Sequence, residues 1–193
     1  MKGGIEVKNL MDAKGLDLYW EQPNALQTRF ILVAGEDIYA KLDFHSGFST
    51  SAEAAISEDR WTITRMGLFS TQVTVRRVGS EVELATFYPR WTGTEGKILF
   101  ATGEQYHWRV ANFWASKYLV SSENGLELIT YISGSREKKF SNIFKQQARV
   151  IIAPEAWQLK DLPMLVFWGW YLVILHIEES SAVAVTTSVA VLN

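Results

Sequence analysis

The chain offers few residues whose types and spacing could do chemistry. Its three histidines, His45, His107 and His176, lie far apart, so a histidine metal site would need all three to converge in space. His45 is close to Asp43 and Ser46 and could formally head a nucleophilic triad, but no oxyanion-hole signature accompanies it. His107 sits between Tyr106 and Trp108 on a predicted strand and reads as an outward side chain. His176 ends an apolar run, where a capping or core role is expected. Glu58-Asp59 and the pair Glu81 and Glu83 have the composition for acid–base work or calcium binding, yet they fall at strand edges and no EF-hand loop surrounds them. A G-x-S-x-G elbow, a phosphate loop, a dinucleotide fingerprint and an H-E-x-x-H motif are all missing from the sequence. The expectation is a non-enzymatic protein with no catalytic residue, no metal and no cofactor.

One cluster points to binding. Arg136, Lys138, Lys139, Lys145 and Arg149 fall within fourteen residues and are opposed only by Glu137, a local charge of about +4 on a chain whose formal net charge is −2. Phe140, Ile143 and Phe144 interleave at helical spacing, so residues 135–147 are expected to form a short basic amphipathic helix. Such a helix suits an anionic lipid surface, where each cation near the head groups adds about 1 kcal/mol. The bland alternative is a solvated helix face pinned by its aromatics. Aromatic residues are the other surplus, with eight Trp, seven Tyr and ten Phe. Trp91, Trp108 and Trp114 could line a ligand groove, although core packing around Trp168 and Trp170 accounts for the surplus more simply. Basic residues are too sparse around these tryptophans for nucleic acid.

The elements that must position these residues are short strands. From Gly15 to about Ala156, segments rich in β-branched and aromatic residues recur near 16–22, 27–34, 37–45, 52–58, 60–66, 69–78, 81–88, 97–102, 105–112, 117–122, 126–133 and 147–153. Gly35-Glu36, Gly79-Ser80 and Asn124-Gly125 read as tight turns between them. Twelve such segments without helical crossovers predict an antiparallel sandwich or barrel, not a parallel α/β fold. No linker or composition break appears, so 1–193 is read as one domain and, by default, a monomer.

The ladder ends at LPMLVFWGWYLVILHI, Leu162 to Ile177, interrupted only by Gly169 and His176. A helix apolar on every face must be sheathed by protein or by lipid. Its sixteen residues, bracketed by Lys160-Asp161 and Glu178-Glu179, span ~24 Å, short of a ~30 Å hydrocarbon core. That favours a helix over about 161–178 buried in a barrel too wide to be filled by its own strands. The competing reading is a membrane-anchored protein whose C-terminal helix crosses the bilayer from Leu162. The tail 179–193 fits either more helix or another strand. Zero cysteine fits a reducing compartment, and MKGGIEVKNLMDAKG has no apolar core of a secretory signal. The expected location is the cytoplasm, peripheral at the membrane.

In its order of elements the chain resembles the tubby C-terminal domain, shared by phospholipid scramblases and the LURP-one-related proteins. The resemblance rests on the strand ladder, on Arg60-Trp61-Thr62-Ile63-Thr64-Arg65 leading to Gly67-Leu68-Phe69, on Gly103-Glu104-Gln105-Tyr106-His107-Trp108, and on the closing run Leu162 to Leu175. It implies a closed barrel of about twelve antiparallel strands around a buried C-terminal helix. It also implies an anionic membrane or phosphoinositide as partner. The chain lacks the calcium loop and acylated cysteines associated with scramblases, so the resemblance extends to the fold and not to scrambling.

Overall fold

The structure, a computed structural model, describes residues 6–25, 27–45, 51–66, 72–134 and 145–190, with side chains as far as Ser181. Twelve strands follow one another: β1 (Leu18–Glu21), β2 (Arg29–Ala34), β3 (Asp37–Phe44), β4 (Ser51–Ile56), β5 (Asp59–Met66), β6 (Gln72–Arg77), β7 (Glu83–Pro89), β8 (Glu95–Phe100), β9 (Gln105–Val110), β10 (Lys117–Ser122), β11 (Glu127–Ser133) and β12 (Gln147–Ile152). Each pairs antiparallel with its sequence neighbours, and β1 pairs with β12 through Leu18 opposite Val150, closing the barrel. Closure leaves no unpaired sheet edge. Every expected strand segment has its counterpart, displaced by a few residues at the ends. Gly35 (φ +63°) and Gly125 (φ +82°) adopt the left-handed backbone that their hairpins require.

Alternation of side chains sets the inner wall. Ala52, Ala54 and Ile56 of β4 point inward while Glu53 stays wet, and Gly96, Ile98 and Phe100 of β8 do the same around Lys97. Several inward positions are small: Ala40, Ala52, Ala54, Ala85 and Ala148 are all buried. They leave room for α1 (Leu162–Ala190), which runs through the barrel.

The helix fills that room with rings directed to all sides. Phe167 packs on Trp61 of β5 at 4.9 Å, Tyr171 stacks on Phe44 of β3 at 5.3 Å, and Trp170 meets Phe30 of β2 at 5.8 Å and Trp20 of β1 at 6.1 Å. Trp168 reaches Phe100 of β8 at 6.3 Å. Leu162 and all residues from Leu165 to Leu175 are buried. At about 1.5–3 kcal/mol per large apolar side chain, this helix is a principal source of stability. Gly169 is required by close approach: a Cβ there would strike the Tyr131 ring of β11. Tyr131 lies across the helix, and its hydroxyl is shared between the carbonyls of Val166 (2.9 Å) and Leu165 (3.1 Å).

The helix is longer than the apolar run suggested. The sequence leaves 179–193 open between helix and strand; the backbone is helical to Ala190. By length and composition Leu162–Ser181 could cross a membrane, yet 72% of its most apolar stretch is buried inside the protein. The basic helix expected at 135–147 falls largely outside the described residues, and Gln147 already belongs to β12.

Candidate functional site

Because all strands are antiparallel, their connections gather at two mouths, one where α1 begins and one where it emerges. The first mouth is closed. Its turns are short, and Leu10 and Ala13 of a 3-10 turn (Leu10–Ala13) are buried in the core beneath them. Tyr106 donates to the Asp161 carboxylate at 3.2 Å, and Lys160 pairs with Glu104 at 2.9 Å. Hydrogen bonds from Thr102 and then Lys160 hold the Glu104 carboxyl at about 2. Burial pushes the Asp161 carboxyl upward and, with the adjacent Asp161 charge, the Tyr106 hydroxyl as well.

The second mouth, open among the described residues, carries the aromatic surplus that the core does not use. Trp91 is 96% exposed, Phe113 92% and Trp114 81%, whereas no other described large hydrophobic residue exceeds 66%. Both loops holding them are built. In 90–94, Arg90 N–H donates to the Glu95 carbonyl at 2.8 Å, Gly93 N–H donates to the Arg90 carbonyl at 2.9 Å, and the Arg90 guanidinium pairs with the Glu95 carboxylate at 2.6 Å. In 111–116, the Asn112 side-chain oxygen accepts from the N–H groups of Ser116 (2.9 Å) and Lys117 (3.0 Å), while its amide donates to the Ser116 hydroxyl at 2.8 Å. Phe113 and Trp114 meet edge to face at 5.2 Å. Three large rings are thus held in solvent by fixed backbone, the reverse of what burial of apolar surface dictates for a side chain without a partner.

Between the 90–94 loop and the emerging helix lies a cavity of about 420 Å³, walled by Val73, Phe87, Trp108, Leu172, Leu175 and His176, with Arg65, Arg90, Trp91 and Glu179 also lining it. Arg65 forms an ion pair with Glu179 of α1. Gln146 donates to Glu178 at 2.9 Å, so two successive helix carboxylates are tied to the barrel here. His176 packs between Tyr118 (5.9 Å) and Trp108 (6.1 Å). Burial raises the Tyr118 hydroxyl to about 12, which keeps it protonated. The buried Trp108 indole N–H and Tyr118 hydroxyl have no hydrogen-bond partner.

The sequence-derived candidates are distributed as follows. Lys145 is half-buried at the open mouth, and Gly134 on the other side of the same connection lies there too. Arg136, Lys138 and Lys139 lie outside the described residues. Arg149 is two residues into β12 on the outer wall, where its charge is met by Asp17 at 2.6 Å; the structure sets it apart from Lys145. His45 faces Glu53 at 3.7 Å while Asp43 pairs with Arg29, and Ser46 falls outside the described residues. His107 is exposed. Glu81 and Glu83 both hold Arg76, at 3.0 and 2.6 Å, and Asp59 holds Arg77 at 3.0 Å, so these carboxylates serve as ion-pair partners on the wall. Among the described residues no three His, Asp or Glu side chains gather as a metal would require. Composition did not separate the exposed ring trio from the buried aromatics: Trp108, which the sequence offered beside Trp91 and Trp114 as a groove residue, belongs to the inner wall.

These features define a closed twelve-stranded antiparallel barrel with a helix packed inside it and a cavity at the mouth from which the helix emerges. Comparison with protein-family models, with curated proteins and with solved structures finds no match.

Proposed function

We propose that the chain is a tubby-like barrel that acts as a non-enzymatic binding protein and docks peripherally on anionic lipid through its open mouth. The observation that carries this reading is the trio Trp91, Phe113 and Trp114, exposed together at the mouth from which α1 emerges. Aromatic rings with a polar edge favour the boundary between head groups and acyl chains. Lys145 stands at the same mouth, and in sequence Arg136, Lys138 and Lys139 fall between β11 and β12. Rings supply insertion and cations supply attraction to negative head groups, which is the two-signal arrangement that peripheral anchoring needs. The setting consistent with this is the cytoplasmic face of a membrane, with the chain as a monomer.

The test is sedimentation with vesicles of phosphatidylcholine with and without phosphatidylserine. The triple change Trp91→Ser, Phe113→Ser, Trp114→Ser should weaken binding roughly 100-fold, about 1 kcal/mol per ring at tenfold per 1.4 kcal/mol. Lys138→Glu, Lys139→Glu and Lys145→Glu together should abolish the preference for phosphatidylserine. Neither set should lower the melting temperature, and unchanged binding by both rejects the reading. A second reading, a bilayer-spanning helix from Leu162, draws on the length and apolarity of Leu162–Ser181. Deleting 160–193 separates them: a barrel stripped of its filling aggregates, whereas a tail-anchored domain becomes soluble and folded.

A further inference from the structure

We infer that the end of α1 that emerges from the barrel, Ser180 to Ala190, enters the hydrocarbon of the lipid surface while the run from Leu162 stays enclosed. This rests on the docking reading and deepens it: rings and cations mark where the surface is met, and the helix end is the part that penetrates. It differs from a span beginning at Leu162, because the barrel keeps its filling.

Exposure rises along α1 as it leaves the barrel. Leu175 is buried, His176, Ile177 and Glu178 are half-buried, and Glu179, Ser180 and Ser181 are exposed. The backbone continues as helix to Ala190, so the eleven residues from Ser180 rise ~16 Å beyond the rim. Head groups occupy roughly 5–8 Å on each side of a hydrocarbon core of ~30 Å. The emergent helix is therefore long enough to pass them and reach hydrocarbon.

Charge changes at the same boundary. Glu178 and Glu179 stay at the rim, held by Gln146 and Arg65. Beyond them no residue from Ser180 to Ala190 is charged, in a chain that is 21% charged. A helix standing in water ordinarily carries charge on its wet face. The Ser181 hydroxyl already turns back on the helix and donates to the Ile177 carbonyl at 2.8 Å, the internal satisfaction that a polar group needs away from water. Eight of the eleven residues are Ser, Thr or Val, types that gain little from helix in water. In hydrocarbon, helix is the form in which one segment satisfies its own backbone. Trp91, Phe113 and Trp114 stand exposed at this same mouth, at the level where a membrane interface favours aromatic rings. That makes lipid the occupant, and not a second copy of the chain.

The chain has no cysteine, so Ala184→Cys and Thr187→Cys each accept a single environment-sensitive fluorophore, with Glu36→Cys at the closed mouth as control. Each labelled full chain is mixed with phosphatidylserine-containing vesicles that carry a quencher on their acyl chains, and sedimentation of the same samples reports binding. Emission from labels at 184 and 187 should shift to the blue and be quenched, while the label at 36 should not respond. Val185→Lys with Val189→Lys should weaken vesicle binding about tenfold at an unchanged melting temperature, because ammonium groups resist hydrocarbon. On a helix lying in water the same lysines would strengthen attraction to phosphatidylserine, so equal or stronger binding overturns the inference. Vesicle binding with the labels at 184 and 187 still in water also overturns it and leaves docking standing. A blue shift at these labels without vesicles overturns it too, because protein then covers the helix end. Absence of sedimentation with vesicles refutes the inference and docking together.

Discussion

The two mouths of the barrel are made from the same strands and filled by the same helix, and both pair their charged groups internally, yet they place their aromatic residues in opposite ways. At the closed mouth the charged groups are consumed in internal contacts, Lys160 on Glu104 and Tyr106 on Asp161, and apolar Leu10 and Ala13 are tucked under the turns. At the open mouth the fixed loops around Arg90 and Asn112 hold Trp91, Phe113 and Trp114 outward, and a cavity lies beside the 90–94 loop. Internal pairing serves the stability of the chain alone. Ordered apolar exposure makes sense when something else covers it. Stability and recognition are therefore assigned to different ends, and substitutions can separate them.

The largest effect should come from the element that both ends share. Trp170→Ala removes a ring packed on Trp20, Phe30 and Tyr131, and should destabilise by about 3–5 kcal/mol in urea unfolding. If the change is near neutral, the helix is not the barrel's filling. A smaller effect, confined to binding, is expected from Asn112→Ala. Loss of the Asn112 contacts to Ser116 and Lys117 frees the loop without removing a ring, so vesicle affinity should fall severalfold while the melting temperature moves by no more than a degree or two. Unaltered affinity would mean that rigid presentation of Phe113 and Trp114 does not matter.

The smallest effects belong to the closed mouth and depend on pH with opposite signs. Glu104 is held at about 2, below the usual 4.5, so its stabilisation is present above 4.5 and is lost as pH falls toward 2. Glu104→Gln should lower the melting temperature slightly at neutral pH and match the wild type near pH 2. Burial raises the Asp161 carboxyl above the usual 3.8, so the charged form is disfavoured in the fold. Asp161→Asn, which keeps an oxygen for Tyr106, should stabilise slightly at neutral pH, and the gain should fade as pH drops toward 3.8. Melting curves across pH 2–7 check both, and vesicle binding at neutral pH should not change in either variant.

Much of the fold was legible because its signals are local. Alternation such as Val73 and Val75 between Gln72, Thr74 and Arg76 marks a strand with two unlike faces, and Asn124-Gly125 marks a hairpin. The apolar run around Trp168 marks a helix that has to be enclosed. The stretch Ser180 to Ala190 was not legible, because its valines, alanines and threonines suit strand and helix alike; continuity with the helix before it decides. Pairings such as Arg65 with Glu179 join distant parts of the chain and leave no trace in local pattern. The rings at the mouth left a partial one. Trp91 is followed by Thr92-Gly93-Thr94, and Phe113 and Trp114 fall between two strand segments, so all three stand in loop-like surroundings. Composition alone merges them with the core aromatics, and only the barrel's geometry separates Trp108 from its exposed counterparts.

The most direct test of the division between the two mouths is hydrogen–deuterium exchange of the full chain with and without phosphatidylserine-containing vesicles. The account predicts protection at 90–94 and 111–116 and no change at 35–36, 57–58 and 101–104. Protection at the closed mouth, or at neither, would contradict it.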